Sequence, residues 1–160
     1  MSEHTPRIVI GADHRGINAA RLTAQHLTSE GMHAQILGEC DGPSDYPDQA
    51  WLVAQSVAKG EADRGILICG TSIGMAIAAN KIKGIRAAVV HDELTAQLSR
   101  AHNDANVLCL SGDLLGQRLI EKIIDVWLST EFEGGRHARR VEKITKIELG
   151  EDPRAPSPGC

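Results

Sequence analysis

The fold of this chain is decided by Gly65-Ile66-Leu67-Ile68-Cys69-Gly70-Thr71-Ser72-Ile73-Gly74-Met75. The first half of this stretch is an apolar run with the length of a buried strand, and the second half is a loop of small residues before a helical pattern. We therefore predict that a strand ends at Cys69. Backbone amides at the start of a helix attract anions and favour the thiolate form of a nearby cysteine. The loop is thus a candidate for both a catalytic base and an anion-binding site.

Short runs rich in Ile and Val alternate with longer segments of helical period on both sides of this stretch. The predicted strands are Arg7–Gly11, His33–Leu37, Gly65–Cys69, Ala87–Val90 and Val107–Ser111. The predicted helices are Ile17–Ser29, Pro47–Lys59, Gly74–Lys81, Glu93–Ala101, Leu115–Ser129 and Arg136–Glu148. This alternation predicts an α/β protein, a Rossmann-like three-layer αβα sandwich around a five-stranded parallel sheet.

The length of 160 residues fits one domain with a sizeable core, and no Pro-, Gly- or Ser-rich linker divides the interior. We assign residues 1–150 to this domain. The tail 151–160 contains three prolines and no apolar period, so we expect it to be disordered.

Composition and charge argue against several classes of function. A formal net charge of −4 gives no broad surface for a polyanion, and an aromatic content of 2% leaves little for base stacking, so we expect no nucleic-acid partner. No apolar segment approaches the roughly 20 residues that a membrane span requires, and we find no signal-peptide core. The four cysteines form no CxxC pair and no zinc-type spacing with histidine, which favours the reducing cytoplasm.

Polar residues follow four of the predicted strands. In doubly wound sheets ligands bind beyond the carboxyl ends of the strands, so these positions are the candidates for a site. They are Asp13-His14, Cys69-Gly70-Thr71, His91-Asp92 and Ser111-Gly112.

Five motifs, spread from about Arg7 to Leu149, occur in an order and at a spacing that resemble one family. They are Gly11-Ala12-Asp13-His14-Arg15-Gly16, Asp45-Tyr46-Pro47, Ile68-Cys69-Gly70-Thr71 through Ala78-Ala79-Asn80-Lys81, Arg100-Ala101-His102-Asn103-Asp104-Ala105-Asn106, and Gly134-Gly135-Arg136-His137 with Arg140. The chain resembles the sugar-phosphate isomerases that include type B ribose-5-phosphate isomerase and galactose-6-phosphate isomerase, and the type B enzymes most.

This resemblance implies aldose–ketose isomerisation of a phosphorylated sugar without cofactor or metal. The implied reaction is ribose 5-phosphate to ribulose 5-phosphate, a step of the pentose phosphate pathway. A tetrose, allose or galactose 6-phosphate substrate is an alternative, as is a non-catalytic sugar-phosphate-binding module on the same sandwich.

The loop after the central strand would carry the proton transfer. In such reactions a base takes a proton from the carbon next to the carbonyl and an enediolate forms. The resemblance implies that Cys69 is this base, that Thr71 relays a proton, and that the amides of Gly70, Ser72 and Gly74 stabilise charge on the sugar oxygens. Without the resemblance, Cys69 reads as a small buried hydrophobe in an ordinary strand-to-helix turn.

Two motifs that contain histidine would open the sugar ring and bind the hydroxyl and phosphate groups. By resemblance, His102 opens the cyclic sugar and Asn103 orients a sugar oxygen, whereas His102 alone reads as a helix-end or surface group. Asp13 is expected to accept sugar hydroxyls and His14 to meet a hydroxyl or the phosphate. Asp13 could equally cap the helix that follows it.

The C-terminal helix would complete the site. Arg136 and Arg140 are four residues apart and lie on one helix face, where they could clamp a phosphate or form a solvated basic surface. In the family this helix packs on a partner subunit, which implies a homodimer or a dimer of dimers with shared sites. Tyr46 would lie at that boundary, and His91 has no assigned role.

Two positions depart from the family pattern. Family members often carry glycine where this chain has Ser72, and a serine forced to positive φ costs about 1 kcal/mol or more. The loop therefore either has another shape or uses the hydroxyl as a sugar contact. Many members carry an arginine at the position of Asp113. Either the phosphate is held by Arg136, Arg140 and His14, or the substrate differs from ribose 5-phosphate.

Overall fold

Strands and helices alternate up to the fifth helix, and a sixth helix follows it, in the computed structural model, which describes residues 5–38 and 42–155. The strands are β1 (Arg7–Ala12), β2 (His33–Ile36), β3 (Arg64–Cys69), β4 (Ala87–Val89) and β5 (Val107–Ser111). The helices are α1 (Ile17–Ser29), α2 (Tyr46–Ala58), α3 (Ile73–Ala79), α4 (Glu93–Ala101), α5 (Gln117–Ser129) and α6 (Arg136–Glu148).

The strands form one parallel sheet in the order β2-β1-β3-β5-β4. Helices α2 and α3 pack on one face, and α1, α4 and α5 pack on the other. The predicted three-layer α/β sandwich is therefore confirmed. The winding of the chain reverses between β1 and β3, which is where doubly wound sheets open a crevice for ligands.

Strand β3 is apolar throughout because both of its faces are covered. Ile66 and Ile68 point into the core that contains Trp127, whereas Leu67 and Cys69 point into the core beneath α2 and α3. A strand buried on both faces gains from a continuous apolar run rather than an alternating one. The same packing leaves Cys69 only 4% exposed.

Two helix boundaries differ from the prediction for local reasons. Helix α3 ends at Ala79 because the side chain of Asn80 bonds both backbone groups of Ala87, at 2.9 and 2.8 Å, and turns the chain towards β4. Helix α5 begins at Gln117 because Gly116 is extended, with ψ of 149°, and serves as its N-cap. Elsewhere the predicted bounds hold to within one residue.

Helix α6 stands apart from the sheet. His137 is its one buried residue, and its apolar residues Ile144 and Ile147 are exposed. The chain after α6 turns back at Asp152–Ala155, where the Lys146 ammonium donates to the carbonyl of Ala155 at 3.3 Å. Residues 156–160 lie outside the described part of the chain, so the disordered tail stays a prediction. No helix within 5–38 and 42–155 is long and apolar enough to cross a membrane.

Candidate active site

Three turns interlock where β1, β3 and β5 end, at what we call the carboxyl edge of the sheet. A Cβ on Gly16 would stand 2.0 Å from the carbonyl oxygen of Ile68, so the turn after β1 lies directly on the end of β3. The amide of Gly112 donates to the carbonyl of Cys69 at 2.8 Å, which ties the turn after β5 to the same strand. These contacts fix the backbone around Cys69.

Cys69 receives a hydrogen bond from the loop that follows it. The amide of Ser72 donates to Cys69 Sγ at 3.2 Å. A donor directed at sulfur interacts more strongly with a thiolate than with a thiol. The neighbouring Cys109 is fully buried, and burial, with the proximity of Cys69, raises the pKa of its thiol. Cys69 is therefore the better placed of the two to act as a base.

Ser72 takes the backbone conformation that glycine favours, with φ of 67°. Serine therefore does not give the loop the other shape that the departure from glycine had led us to expect. Instead Ser72 is held in a strained conformation, at a cost of about 1 kcal/mol or more. Its side chain is fully buried and its hydroxyl donates to the carbonyl of Thr71. The structure thus does not support a sugar contact by the Ser72 hydroxyl, and leaves its amide as the group that faces Cys69.

Tyr46 lies against the start of α3. A Cβ on Gly74 would stand 2.5 to 3.0 Å from the ring and hydroxyl of Tyr46, so the glycine makes room for the aromatic side chain. Gly70 is buried, whereas Thr71 is exposed at the tip of the loop. The structure therefore brings together the predicted residues Cys69, Gly70, Thr71, Gly74 and Tyr46.

Asp13 and His14 lie beside this loop in the turn after β1. Asp13 is buried, and its Oδ1 accepts from the amides of Arg15 and Gly16 at 2.9 and 3.0 Å. These bonds hold the turn that precedes α1. The alternative that Asp13 caps this helix is wrong, because the N-cap is Gly16 and makes no side-chain capping bond. His14 is exposed, with Nδ1 3.4 Å from the carbonyl oxygen of Ser44, which places it next to the segment of Tyr46.

Asp113 forms an ion pair that the sequence analysis missed. Arg15 Nε and Nη2 lie 2.8 and 2.6 Å from Asp113 Oδ2. A Cβ on Gly70 would meet Asp113 Oδ2 at 2.9 Å and Arg15 Nε at 3.0 Å, so the pair rests on the loop next to Cys69. The hydrogen bond with Asp113 raises the pKa of Arg15. The sequence offered one indication that Arg15 belongs to the site, namely its position inside the motif that follows the first strand.

His102 and Asn103 lie at the opposite edge, where the strands begin, which we call the amino edge. Arg86, just before β4, donates from Nε to the carbonyls of Asn103 and Asp104 at 3.1 and 2.9 Å. Five residues of β5 separate this edge from the carboxyl edge, roughly 15 Å at the rise of a strand. One chain therefore does not bring His102 to Cys69.

Buried Arg100 holds the loop that carries His102. Its Nη1 donates to Asp104 Oδ1 at 2.8 Å and to the carbonyl of Ala105 at 2.7 Å. Asp104 also pairs with Arg86 at 3.0 Å. This network explains the charged residues of the fourth motif as supports for the His102-Asn103 loop.

His137 stacks on His102, a contact that sequence reasoning did not single out. The ring centroids are 4.0 Å apart and the planes differ by 3°. Glu133 Oε2 lies 3.4 Å from Nε2 of His137 and 3.9 Å from Nε2 of His102. The three could in principle hold a metal ion, but lone pairs on parallel rings run side by side and do not converge on one ion. We therefore assign no metal to this group.

Arg136 and Arg140 extend the same cluster along α6. Arg136 Nε lies 3.4 Å from His137 Nε2, and both arginines are exposed. Burial is the main cause that lowers the pKa of His137, and electrostatic interactions with His102 and with the positively charged Arg136 lower it further. His91 is also exposed, next to Asp92, whose carboxylate caps α4 through the amide of Thr95 at 2.7 Å. The structure gives His91 no further role.

The sequence matches the model of a known protein family. The model of the family described as Ribose/Galactose Isomerase matches residues 8–144. The chain belongs to the ribose/galactose isomerase family. The resemblance drawn from the five motifs is therefore confirmed, and with it the isomerase class, of the type B ribose-5-phosphate isomerase kind.

Individual members of the ribose/galactose isomerase family are similar over nearly their full length. Ribose-5-phosphate isomerase B of Escherichia coli is 47% identical over 143 residues, which cover 89% of this chain and 96% of that protein. D-erythrulose-4-phosphate isomerase of Pectobacterium atrosepticum is 42% identical, with 88% and 94% covered. The structure of ribose-5-phosphate isomerase B from Clostridium thermocellum superposes with a TM-score of 0.88 at 48% identity, with 90% and 98% covered.

Proposed function

We propose that this isomerase interconverts ribose 5-phosphate and ribulose 5-phosphate, with Cys69 as the base. The observation that carries the proposal is the sulfur of Cys69 at the end of β3, with the Ser72 amide 3.2 Å away and with Tyr46 and the Asp13-His14 turn beside it. Relatives named ribose-5-phosphate isomerase B support the choice of substrate.

The chemistry is a proton transfer between two neighbouring carbons. The Cys69 thiolate removes the C2 proton of the open-chain aldose, and the C1 carbonyl oxygen takes up negative charge as the enediolate forms. The loop amides stabilise that charge, and Thr71 moves a proton between the two oxygens. The Cys69 thiol then returns its proton to C1, which leaves the ketose and restores the thiolate. No net oxidation occurs.

Ring opening requires the other edge of the sheet. An imidazole can accept a proton at one nitrogen and donate one, and so move a proton from the anomeric hydroxyl to the ring oxygen; His102 is assigned this step. Because His102 lies roughly 15 Å from Cys69 in one chain, the site must draw on a second subunit. A two-fold axis perpendicular to the strands reverses their direction and lays the carboxyl edge of one chain beside the amino edge of the other.

Exposed apolar side chains favour this pairing. They cluster around the edge strand β4, on the helices that flank it and on α6, and include Ile73, Ile77, Val89, Leu94, Leu98 and Ile147. Ile73 and Ile77 are 56% and 59% exposed on one face of α3, which is the helix that starts at the Cys69 loop. A cavity of about 630 Å³ opens between α6 and β4, bounded by Ile85, Ala88, Ile144 and Asn103. A second copy of the chain would cover these surfaces.

A panel of aldose phosphates with four to six carbons tests the proposal. Purified protein is assayed for ketose formation, and in D₂O for exchange of the C2 proton. We expect the fastest turnover with ribose 5-phosphate. Preferred turnover of a tetrose phosphate would favour the activity for which the Pectobacterium relative is named. Binding of sugar phosphates without conversion or exchange of any of them would favour a non-catalytic binding module.

A further inference from the structure

Arg15 and Asp113 come from different turns and meet over the same glycine. Arg15 follows β1 and Asp113 follows β5, and these strands flank β3. Both side chains approach the Cα of Gly70 so closely that a Cβ there would lie within 2.9 to 3.2 Å of them. The pair therefore sits on the loop that follows Cys69, one residue from the base.

The ion pair leaves part of the guanidinium available. Its contacts with Asp113 use Nε and Nη2, both to the same carboxylate oxygen, at 2.8 and 2.6 Å. Within the described residues, Nη1 of Arg15 has no hydrogen-bond partner, and the side chain is 58% exposed. A guanidinium braced on one side by a carboxylate can still bind an anion in a fixed orientation with its other N–H groups.

We propose that Arg15 is a substrate-binding residue that binds the phosphate of the substrate, and that Asp113 holds it in position over Gly70. This inference rests on the proposed function for the identity of the anion. It also explains how a site with an acid at position 113 accepts a dianion: Asp113 faces Arg15, which offsets its charge and contributes donors of its own.

Kinetics of Arg15→Ala test this role. We expect KM for the sugar phosphate to rise roughly 10- to 100-fold, as for loss of a charged hydrogen bond, with kcat little changed. The matched control is Arg7→Ala, which removes an arginine that pairs with Asp63 at 3.0 Å at the amino edge. It changes the net charge equally, and KM should stay within about twofold of the parent. An unchanged KM in Arg15→Ala would overturn the inference.

Two double variants separate binding by Arg15 from simple neutralisation of Asp113. Arg15→Ala with Asp113→Arg places a cation at the other end of the pair, and we expect it to recover most of the lost affinity. Arg15→Ala with Asp113→Ala removes both charges and should recover much less. Equal recovery in the two variants would mean that Arg15 merely offsets the acid, and would overturn the inference.

Binding of inorganic phosphate separates this inference from the proposed function. Calorimetry with the parent, Arg15→Ala and Arg7→Ala needs no turnover. Weaker binding in Arg15→Ala alone supports Arg15 even where the parent converts no sugar phosphate. Equal binding in all three, beside normal isomerase activity, would overturn the role of Arg15 and leave the proposed function intact.

Discussion

The two edges of the sheet carry the two groups of residues to which we assign catalytic roles in the proposed function. At the carboxyl edge, Cys69 sits among interlocked turns with a strained residue, Ser72, and a hydrogen bond directed at its sulfur. At the amino edge, His102 and His137 form a stack bordered by Glu133 and by the arginines of α6. The first edge has a backbone fixed by contacts between its turns, whereas the second brings imidazole, carboxylate and guanidinium groups together. In the proposed function, both edges are needed for one complete site.

The largest expected effect is the loss of turnover in Cys69→Ala. Removal of a general base typically costs about 10²- to 10⁴-fold in rate. The stability of the fold should change little, because alanine is similar in size to the buried cysteine that it replaces. Steady-state kinetics with the preferred sugar phosphate and a thermal melt measure both. Full activity in this variant would rule out Cys69 as the base.

Mixed dimers test whether Cys69 of one subunit and His102 of the other form one active site. Cys69→Ala and His102→Ala should each be inactive on ribose 5-phosphate, yet refolding them together should restore activity. Random pairing makes half of the dimers mixed, and each mixed dimer has one intact site, so about a quarter of the parent activity should return. A mixture as inactive as its components would place the whole site within one chain.

A change in stability tests the packing of the turns at the carboxyl edge. In Gly16→Ala the new Cβ would lie 2.0 Å from the backbone oxygen of Ile68, which cannot move aside without shifting β3. We expect a loss of about 1–3 kcal/mol in the free energy of unfolding, or more, measured by urea denaturation. Gly116→Ala is the control, since a Cβ there meets nothing within 4 Å. Equal stability of the two variants would contradict the interlocked packing.

A smaller effect is expected when the stack on His102 is removed. His137→Ala should lower kcat for ribose 5-phosphate about tenfold, because His102 loses the flat surface that fixes its ring plane. A four-carbon aldose 4-phosphate cannot close a five-membered ring, so its turnover should change little. His137→Phe should restore part of the loss and exposed His33→Ala should have no effect. Equal losses on both sugars would indicate a purely structural role for His137.

The smallest effect concerns stability against pH. Because the pKa of His137 is lowered in the folded state, the unfolded chain binds its proton first as the pH falls below about 6.5. His137 therefore contributes stability above that pH that is lost on acidification. The parent should lose more stability than His137→Asn between about pH 7.5 and about pH 5.5 in urea unfolding. The contribution of His26 to stability changes with pH in the opposite direction, since its hydrogen bond with Asp125 raises its pKa. An equal loss of stability in the parent and in His137→Asn would contradict the role given to His137.

The sequence predicted the sheet well because β3 and its neighbours have simple patterns. A continuous apolar run that ends in Cys69-Gly70-Thr71 indicates a doubly covered strand, and the intervening helices have a clear apolar period. The residues at the carboxyl edge were found for the same reason, since topology alone brings strand ends together. The end of α3 at Ala79 and the start of α5 after Gly116 were predicted two residues away from their true positions, because side-chain hydrogen bonds and local dihedral angles determine them.

Contacts between turns that are distant in sequence could not be predicted from the sequence pattern. Nothing in the spacing of Arg15 and Asp113, 98 residues apart, indicates that they meet over Gly70. The stack of His137 on His102 likewise depends on how α6 crosses the amino edge. The backbone of Ser72 was judged from propensity, whereas the interlocked turns hold it at positive φ.

The shared site that we propose would make the catalytic unit larger than the single chain. Each chain contains two hydrophobic cores of its own, one on either face of the sheet. A site shared between chains makes specific activity depend on protein concentration, since dilution below the dissociation constant of the dimer leaves intact but idle subunits. In a cell, the amount of active enzyme would then rise more steeply than the amount of chain produced.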